Sequence, residues 1–208
     1  MYIDQPMRHF LDKLSSKSPE PGGGSAAALV GAEGAALVGM VCYLTLGKEK
    51  YADVQADIER LRGEAESARA DLQRLLQEDT EAFAAASAAY KLPKETEEQK
   101  KARSIKIQEG LKAATEVPFA IGLKSLETAR LSLTAALKGN AGAVSDAGVA
   151  VLFAESAVQA AALNVRINLV SIKDAGYVAD KWKKMQAVMQ EVEVLKDKVL
   201  KITYDKIG

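Results

Sequence analysis

One aspartate interrupts an otherwise apolar stripe. Val54, Ile58, Leu61, Ala65, Ala68, Leu72 and Leu75 recur in alternating steps of four and three, the spacing of a helix face that packs on its neighbours. The next step falls on Asp79, and the rhythm resumes at Ala82 or Phe83 and Ala86. A carboxylate on such a stripe is costly unless it is neutralised, paired or hydrogen-bonded. Two readings stand: a structural ion pair or helix cap, and a general base whose pKa is raised by apolar surroundings.

Two glycine-bearing turns offer places for a ligand. In Ser18-Pro19-Glu20-Pro21-Gly22-Gly23-Gly24-Ser25 the prolines stiffen the approach to a helix, and Gly22, Gly23 and Gly24 let main-chain N–H groups come close to an anion. Ser25 can cap the helix that follows. The run lacks the Gly-Lys-Ser/Thr ending of a nucleotide loop and no strand precedes it, which removes ATP and dinucleotide readings. A plain turn is the alternative. The second turn, Lys138 to Asp146, carries Asn140, Ser145 and Asp146, which serve either as turn and cap residues or as polar contacts to a ligand. Asn164 and Asn168 fall four apart on one helix face, so their amides can converge on a ligand or on each other. Lys48 and Lys50 follow Gly47, where a helix C-terminus favours cations, and read first as a solvated face.

The elements that must position these residues are helices. The five prolines, at 6, 19, 21, 93 and 118, leave one proline-free stretch of about 70 residues and another of about 90, both rich in Ala, Leu, Lys, Glu and Gln. Nothing alternates with the period of a strand. The reading is an all-α bundle of about seven helices, over roughly residues 4–16, 25–46, 50–90, 95–114, 117–137, 144–172 and 175–206, in a single domain covering 1–208. Ser25 to Leu46 carries one charge, Glu33, with small residues at Gly31, Ala35 and Gly39. It is expected to be a buried central helix rather than a membrane span.

Composition narrows the function classes. Lys plus Arg and Asp plus Glu are 28 each, a net charge of zero that argues against a general nucleic-acid binder. One cysteine, Cys42, and one histidine, His9, leave no disulfide and no set of His or Cys ligands for a metal. The opening MYIDQPMRHF is too polar for a signal peptide, so a soluble cytoplasmic protein is expected.

Taken in order, these motifs resemble a known family. Pro21-Gly22-Gly23-Gly24-Ser25, Leu44-Thr45-Leu46-Gly47-Lys48, Glu78-Asp79-Thr80-Glu81-Ala82-Phe83, Leu92-Pro93-Lys94, Gln108-Glu109-Gly110-Leu111 and Gly139-Asn140 through Ser145-Asp146 are similar to the formiminotransferase-cyclodeaminase C-terminal domain family. Val144 to Leu152 and the short chain look most like its stand-alone methenyltetrahydrofolate cyclohydrolase members. The resemblance implies an all-helical homodimeric folate enzyme of one-carbon metabolism, with Asp79 as catalytic residue. The family's glycine-rich loop and its Asn…Ser-Asp turn place Gly22, Gly23, Gly24, Asn140, Ser145 and Asp146 at the substrate; Ser25 and Asn164, read from the residues themselves, join them as candidate contacts, and Lys48 as a candidate for the glutamate tail. The resemblance implies no metal, no cofactor beyond the tetrahydrofolate substrate, and no nucleic-acid or membrane partner. Two alternatives remain beside it: a formiminotetrahydrofolate cyclodeaminase and a non-catalytic helical scaffold. A scaffold accounts for the helices but leaves the aspartate in the stripe and the two turns without a role.

Overall fold

The proline-poor stretches fold as helices, and six α-helices make the architecture. The computed structural model describes residues 1–208 and contains α1 (Met7–Leu14), α2 (Gly23–Tyr43), α3 (Gln55–Ala89), α4 (Glu97–Lys138), α5 (Val144–Leu169) and α6 (Ala175–Ile207). Short 3-10 turns occupy Tyr2–Asp4, Glu49–Val54 and Ala141–Ala143, and there is no strand. The expected seven helices become six because residues 95–114 and 117–137 form one continuous helix through Pro118.

That continuity has a local cause. Proline at 118 removes the N–H that would reach the carbonyl of Ala114. Asn168 on α5 supplies the donor instead, its Nδ2 lying 2.8 Å from Ala114 O. The helix is closed at both ends as well. Thr96 Oγ1 accepts from Gln99 N while Gln99 Oε1 accepts from Thr96 N, each at 3.2 Å, a reciprocal cap. Lys206 Nζ donates to the carbonyls of Ala136 and Leu137 at the far end.

Helix α2 packs against α3, α4 and α5, while α6 closes the other side of α4 and α5. By length and composition α2 is apolar enough to cross a membrane. In this fold Ala27, Ala28, Ala35, Val38 and Val41 of α2 are buried. Small residues bring its neighbours close: a Cβ on Gly31 would stand 2.7 Å from Ser125 Oγ, and one on Gly34 3.0 Å from Ala150 O. Gly39 does not share this role, since a Cβ there would meet nothing within 4 Å. The α3 stripe from Ile58 to Leu75 is buried, with Val54 in the turn before it. The main core gathers Val38, Ile58, Val151, Val158, Val165, Met185 and Val192. A smaller core of Phe10, Ala28, Leu72, Leu76, Ile121 and Ala161 sits nearer the amino end of α2.

The Asn168–Ala114 bond is tested by a double-mutant cycle. Asn168→Ala should cost about 1 kcal/mol in the native background, measured by denaturant unfolding. The cost should shrink in Pro118→Ala, where residue 118 regains an N–H for Ala114 O.

Candidate functional site

The α3 stripe delivers Asp79 to the amino end of α2. That end begins at Gly22, which has no side chain to cap the free N–H groups. Helix α2 starts at Gly23, two residues earlier than the sequence reading, so Ser25 lies inside the first turn and is not the cap. Its buried hydroxyl donates to Asp79 Oδ2 at 2.8 Å and lies 3.3 Å from Thr80 Oγ1. The Ser25 main-chain N–H also favours the carboxylate. Asp79 therefore stands, from another helix, against the amino end of α2, where the free N–H groups favour a carboxylate. Gly24 makes this possible: a Cβ there would fall 2.2 Å from Asp79 Oδ1. One step earlier, a Cβ on Gly23 would stand 3.3 Å from Asn164 Nδ2.

Asp79 is half-buried and no cation pairs with it. Burial is the largest influence on its carboxyl and raises its pKa above the usual aspartate range, while the Ser25 hydroxyl and N–H pull it down. The structural ion-pair reading is thereby removed. What remains is a carboxylate held by the Ser25 hydroxyl at the amino end of α2 and lining a cleft.

The cleft measures about 500 Å³, large enough for a drug-sized ligand. Pro19, Glu20 and Gly22–Gly24 form one end, α3 and α5 the walls, and Leu111 and Ala114 of α4 the floor. From α3 come Asp79, Thr80, Phe83, Ala86 and Ser87, with Tyr90 just past its end; from α5 come Asn164, Ile167 and Asn168. No Lys or Arg lines the cleft. Asn164 and Asn168 share the cleft without bonding each other: Asn164 Nδ2 donates to Ala160 O and Asn168 to Ala114 O, both at 2.8 Å. A second depression, about 380 Å³, lies beside Gly39, Met40, Tyr43, Glu66 and Arg69. There Tyr43 Oη donates to Glu66 at 2.9 Å and accepts from Arg62 at 3.0 Å.

The structure splits the residues singled out in the sequence into two groups. Gly22, Gly23, Gly24, Asp79 and Asn164 line the cleft, and Ser25 lies directly behind it. Lys48, Asn140, Ser145 and Asp146 do not line it. They cluster about the carboxyl end of α2, which is 21 residues long, so about 30 Å separates the two ends. Asn140 is occupied structurally: its N–H donates to Thr45 Oγ1 and its Nδ2 to Leu44 O, both at 2.8 Å, while Oδ1 accepts from Gly142 N and Tyr51 Oη. Lys48 is exposed just before the 3-10 turn, and Ser145 and Asp146 stand in the first turn of α5. Sequence reasoning missed Glu20, Ser87, Tyr90 and Ile167 as cleft residues. Phe83, Ser87 and Tyr90 follow Asp79 at helical spacing, a signal that pointed to them once Asp79 was placed.

Comparison with known proteins follows the same lines. The formiminotransferase-cyclodeaminase family model matches residues 6–187. The methenyltetrahydrofolate cyclohydrolase of Methylorubrum extorquens is 44% identical over 199 residues, covering 96% of both chains. The formimidoyltransferase-cyclodeaminase of Sus scrofa is 37% identical over 193 residues, which is 92% of this chain and 35% of that longer protein. Among solved structures, formiminotetrahydrofolate cyclodeaminase from Thermotoga maritima superposes with a TM-score of 0.90 at 28% identity, over 100% of each chain.

The burial of Asp79 carries a stability prediction. Because its folded pKa is raised, this group contributes most to stability below the ordinary aspartate pKa of about 4 and loses that contribution as pH rises through the folded value. At neutral pH the charge is a liability. Asp79→Asn can still accept from Ser25, so it should melt at the same or a higher temperature at pH 7, with the difference narrowing toward pH 4. An ion pair would instead lose about 3–5 kcal/mol on this change.

Proposed function

The chain belongs to the formiminotransferase-cyclodeaminase family, and from that premise we propose that it hydrolyses 5,10-methenyltetrahydrofolate to 10-formyltetrahydrofolate. The observation that carries the reading is a carboxylate in a cleft, free of any cation and held by the Ser25 hydroxyl, with its pKa raised by burial. In the substrate one carbon bridges N5 and N10 and shares a positive charge with them, so it is electrophilic as it stands. Asp79 takes a proton from water as the C–O bond forms, giving a neutral carbinolamine. The hydroxyl then loses its proton to become the formyl C=O, the C–N5 bond breaks with its electron pair on N5, and N5 takes up a proton. One water is consumed and one proton is released overall. A raised pKa suits this sequence, because the same carboxyl can hold the first proton and hand it to N5. The Gly22–Gly24 backbone and Asn164 hold the polar edge of the pterin. No cofactor beyond the tetrahydrofolate substrate enters.

A second reading, formiminotetrahydrofolate cyclodeaminase, draws support from the likeness to the Thermotoga maritima enzyme. There N10 would attack the formimino carbon and ammonia would leave, producing the cation that the first reaction consumes. The same cleft and carboxylate serve both. The chain spans 35% of the longer pig relative, and the transferase activity in that protein's name is not assigned to this chain.

The functional unit in this proposal is a homodimer. Val149, Leu152, Leu163 and Ile167 on α5 and Met40 on α2 are exposed apolar residues on two helices that pack together. A second copy set antiparallel across that face would bring Lys48, Asn140, Ser145 and Asp146 toward its partner's cleft. Light scattering should then give twice the chain mass.

The activity test follows the near-ultraviolet absorbance of methenyltetrahydrofolate, which should decay faster with enzyme than without. Asp79→Asn should reduce the rate about 10²–10⁴-fold. Ammonia release from 5-formiminotetrahydrofolate without methenyl hydrolysis would select the second reading. In Ser25→Ala the carboxyl loses a donor that lowers its pKa, so the acid limb of the pH–rate profile should move to higher pH.

A further inference from the structure

Among the cleft residues Phe83 has no structural task that accounts for its position. Its side chain is 46% exposed, although a large apolar residue on a packed helix normally turns inward. It stacks on no other ring and no Lys or Arg of the chain lies over it. It stands four residues after Asp79 on α3, on the same face of the helix. Side chains on a helix lean toward its amino end, so the ring tips back over the turn that carries the carboxylate. The cleft therefore offers two carboxylates, Glu20 and Asp79, and an open aromatic face, with no cation of its own. An aromatic face attracts a cation held within about 6 Å of its centroid, and this arrangement lacks only the cation.

We propose that Phe83 is the specificity-determining residue that recognises the positive charge of the substrate: the N5–C–N10 cation lies against its ring, with the Asp79 carboxylate at its edge. This rests on the folate reading above and goes further in one respect. It makes the cleft discriminate by charge between substrate and product. The charge disappears when water adds, so the ring holds the cationic substrate more tightly than neutral 10-formyltetrahydrofolate and favours product release. Tyr90, just past the end of α3 and about 16 Å from Asp79, is too distant to share the charge and serves the rest of the ligand.

The test compares one cationic and one neutral ligand of the same shape. Dissociation constants for 5,10-methenyltetrahydrofolate, measured in an Asp79→Asn background that slows turnover, are set beside those for neutral 5,10-methylenetetrahydrofolate. Phe83→Leu should weaken binding of the cation about 3–30-fold and of the neutral compound much less, while Phe83→Tyr keeps the preference. In otherwise native protein, Phe83→Leu should raise KM more than it lowers kcat. Equal losses for both ligands would make Phe83 a plain apolar wall, and no loss for either would place the ring away from the ligand. Either result overturns the proposal. If Phe83→Leu does not fold by circular dichroism, Phe83→Met and Phe83→Tyr give the same comparison. Failure of the native enzyme to open methenyltetrahydrofolate would instead count against the cyclohydrolase reading, because the binding ratio is read without turnover.

Discussion

The functional end of this molecule depends on one contact, the Asp79 carboxylate set against the first turn of α2. A helix that begins with glycine at its cap leaves its N–H groups without side-chain partners, and a buried carboxylate needs donors. Each answers the need of the other. The geometry admits no Cβ at Gly24, and it requires a hydroxyl at residue 25 to finish the carboxylate's shell. Gly24 is thus explained by the width of a carboxylate rather than by flexibility. Because Ser25 and Asp79 are 54 residues apart, the contact also ties α2 to α3 at the point where the cleft opens.

The same contact sets the electrostatics. A fully hydrogen-bonded carboxylate at a helix N-terminus would be held ionised, and its pKa would fall. Here burial outweighs the two Ser25 donors, and the net direction is upward. A base that is too stable as an anion removes protons poorly, and one that is too costly to ionise is rarely available. In the proposed reaction, partial burial set against the Ser25 donors holds Asp79 between those limits, and the residue lines the cleft.

Period and punctuation made much of this readable in the sequence. The stripe from Val54 to Leu75 located both the buried face of α3 and the residue that breaks it, because helical spacing alone determines which side chains share a face. The glycine run marked the start of α2 for the same local reasons. What failed was non-local. Pro118 looked like a boundary, since nothing in its own segment shows that Asn168, 50 positions later, would donate to the carbonyl it strands. The Asn140 amide is held by Leu44, Gly142 and Tyr51, partners that only the folded turn brings near. Glu20 and Ile167 enter the cleft from elements whose packing the sequence does not declare.

The separation of the two glycine turns follows from the antiparallel packing of α2 and α5. The amino end of α2 meets the carboxyl end of α5, where Asn164 and Asn168 stand; the carboxyl end of α2 meets the start of α5, where Asn140 bonds to Leu44 and Thr45. One end is thus open and rich in acceptors, and the other is knitted shut by its own hydrogen bonds. The anchored turn ties the carboxyl end of α2 to the start of α5, while at the amino end the Ser25–Asp79 contact ties α2 to α3, so α2 is fixed at its two ends to two different neighbours.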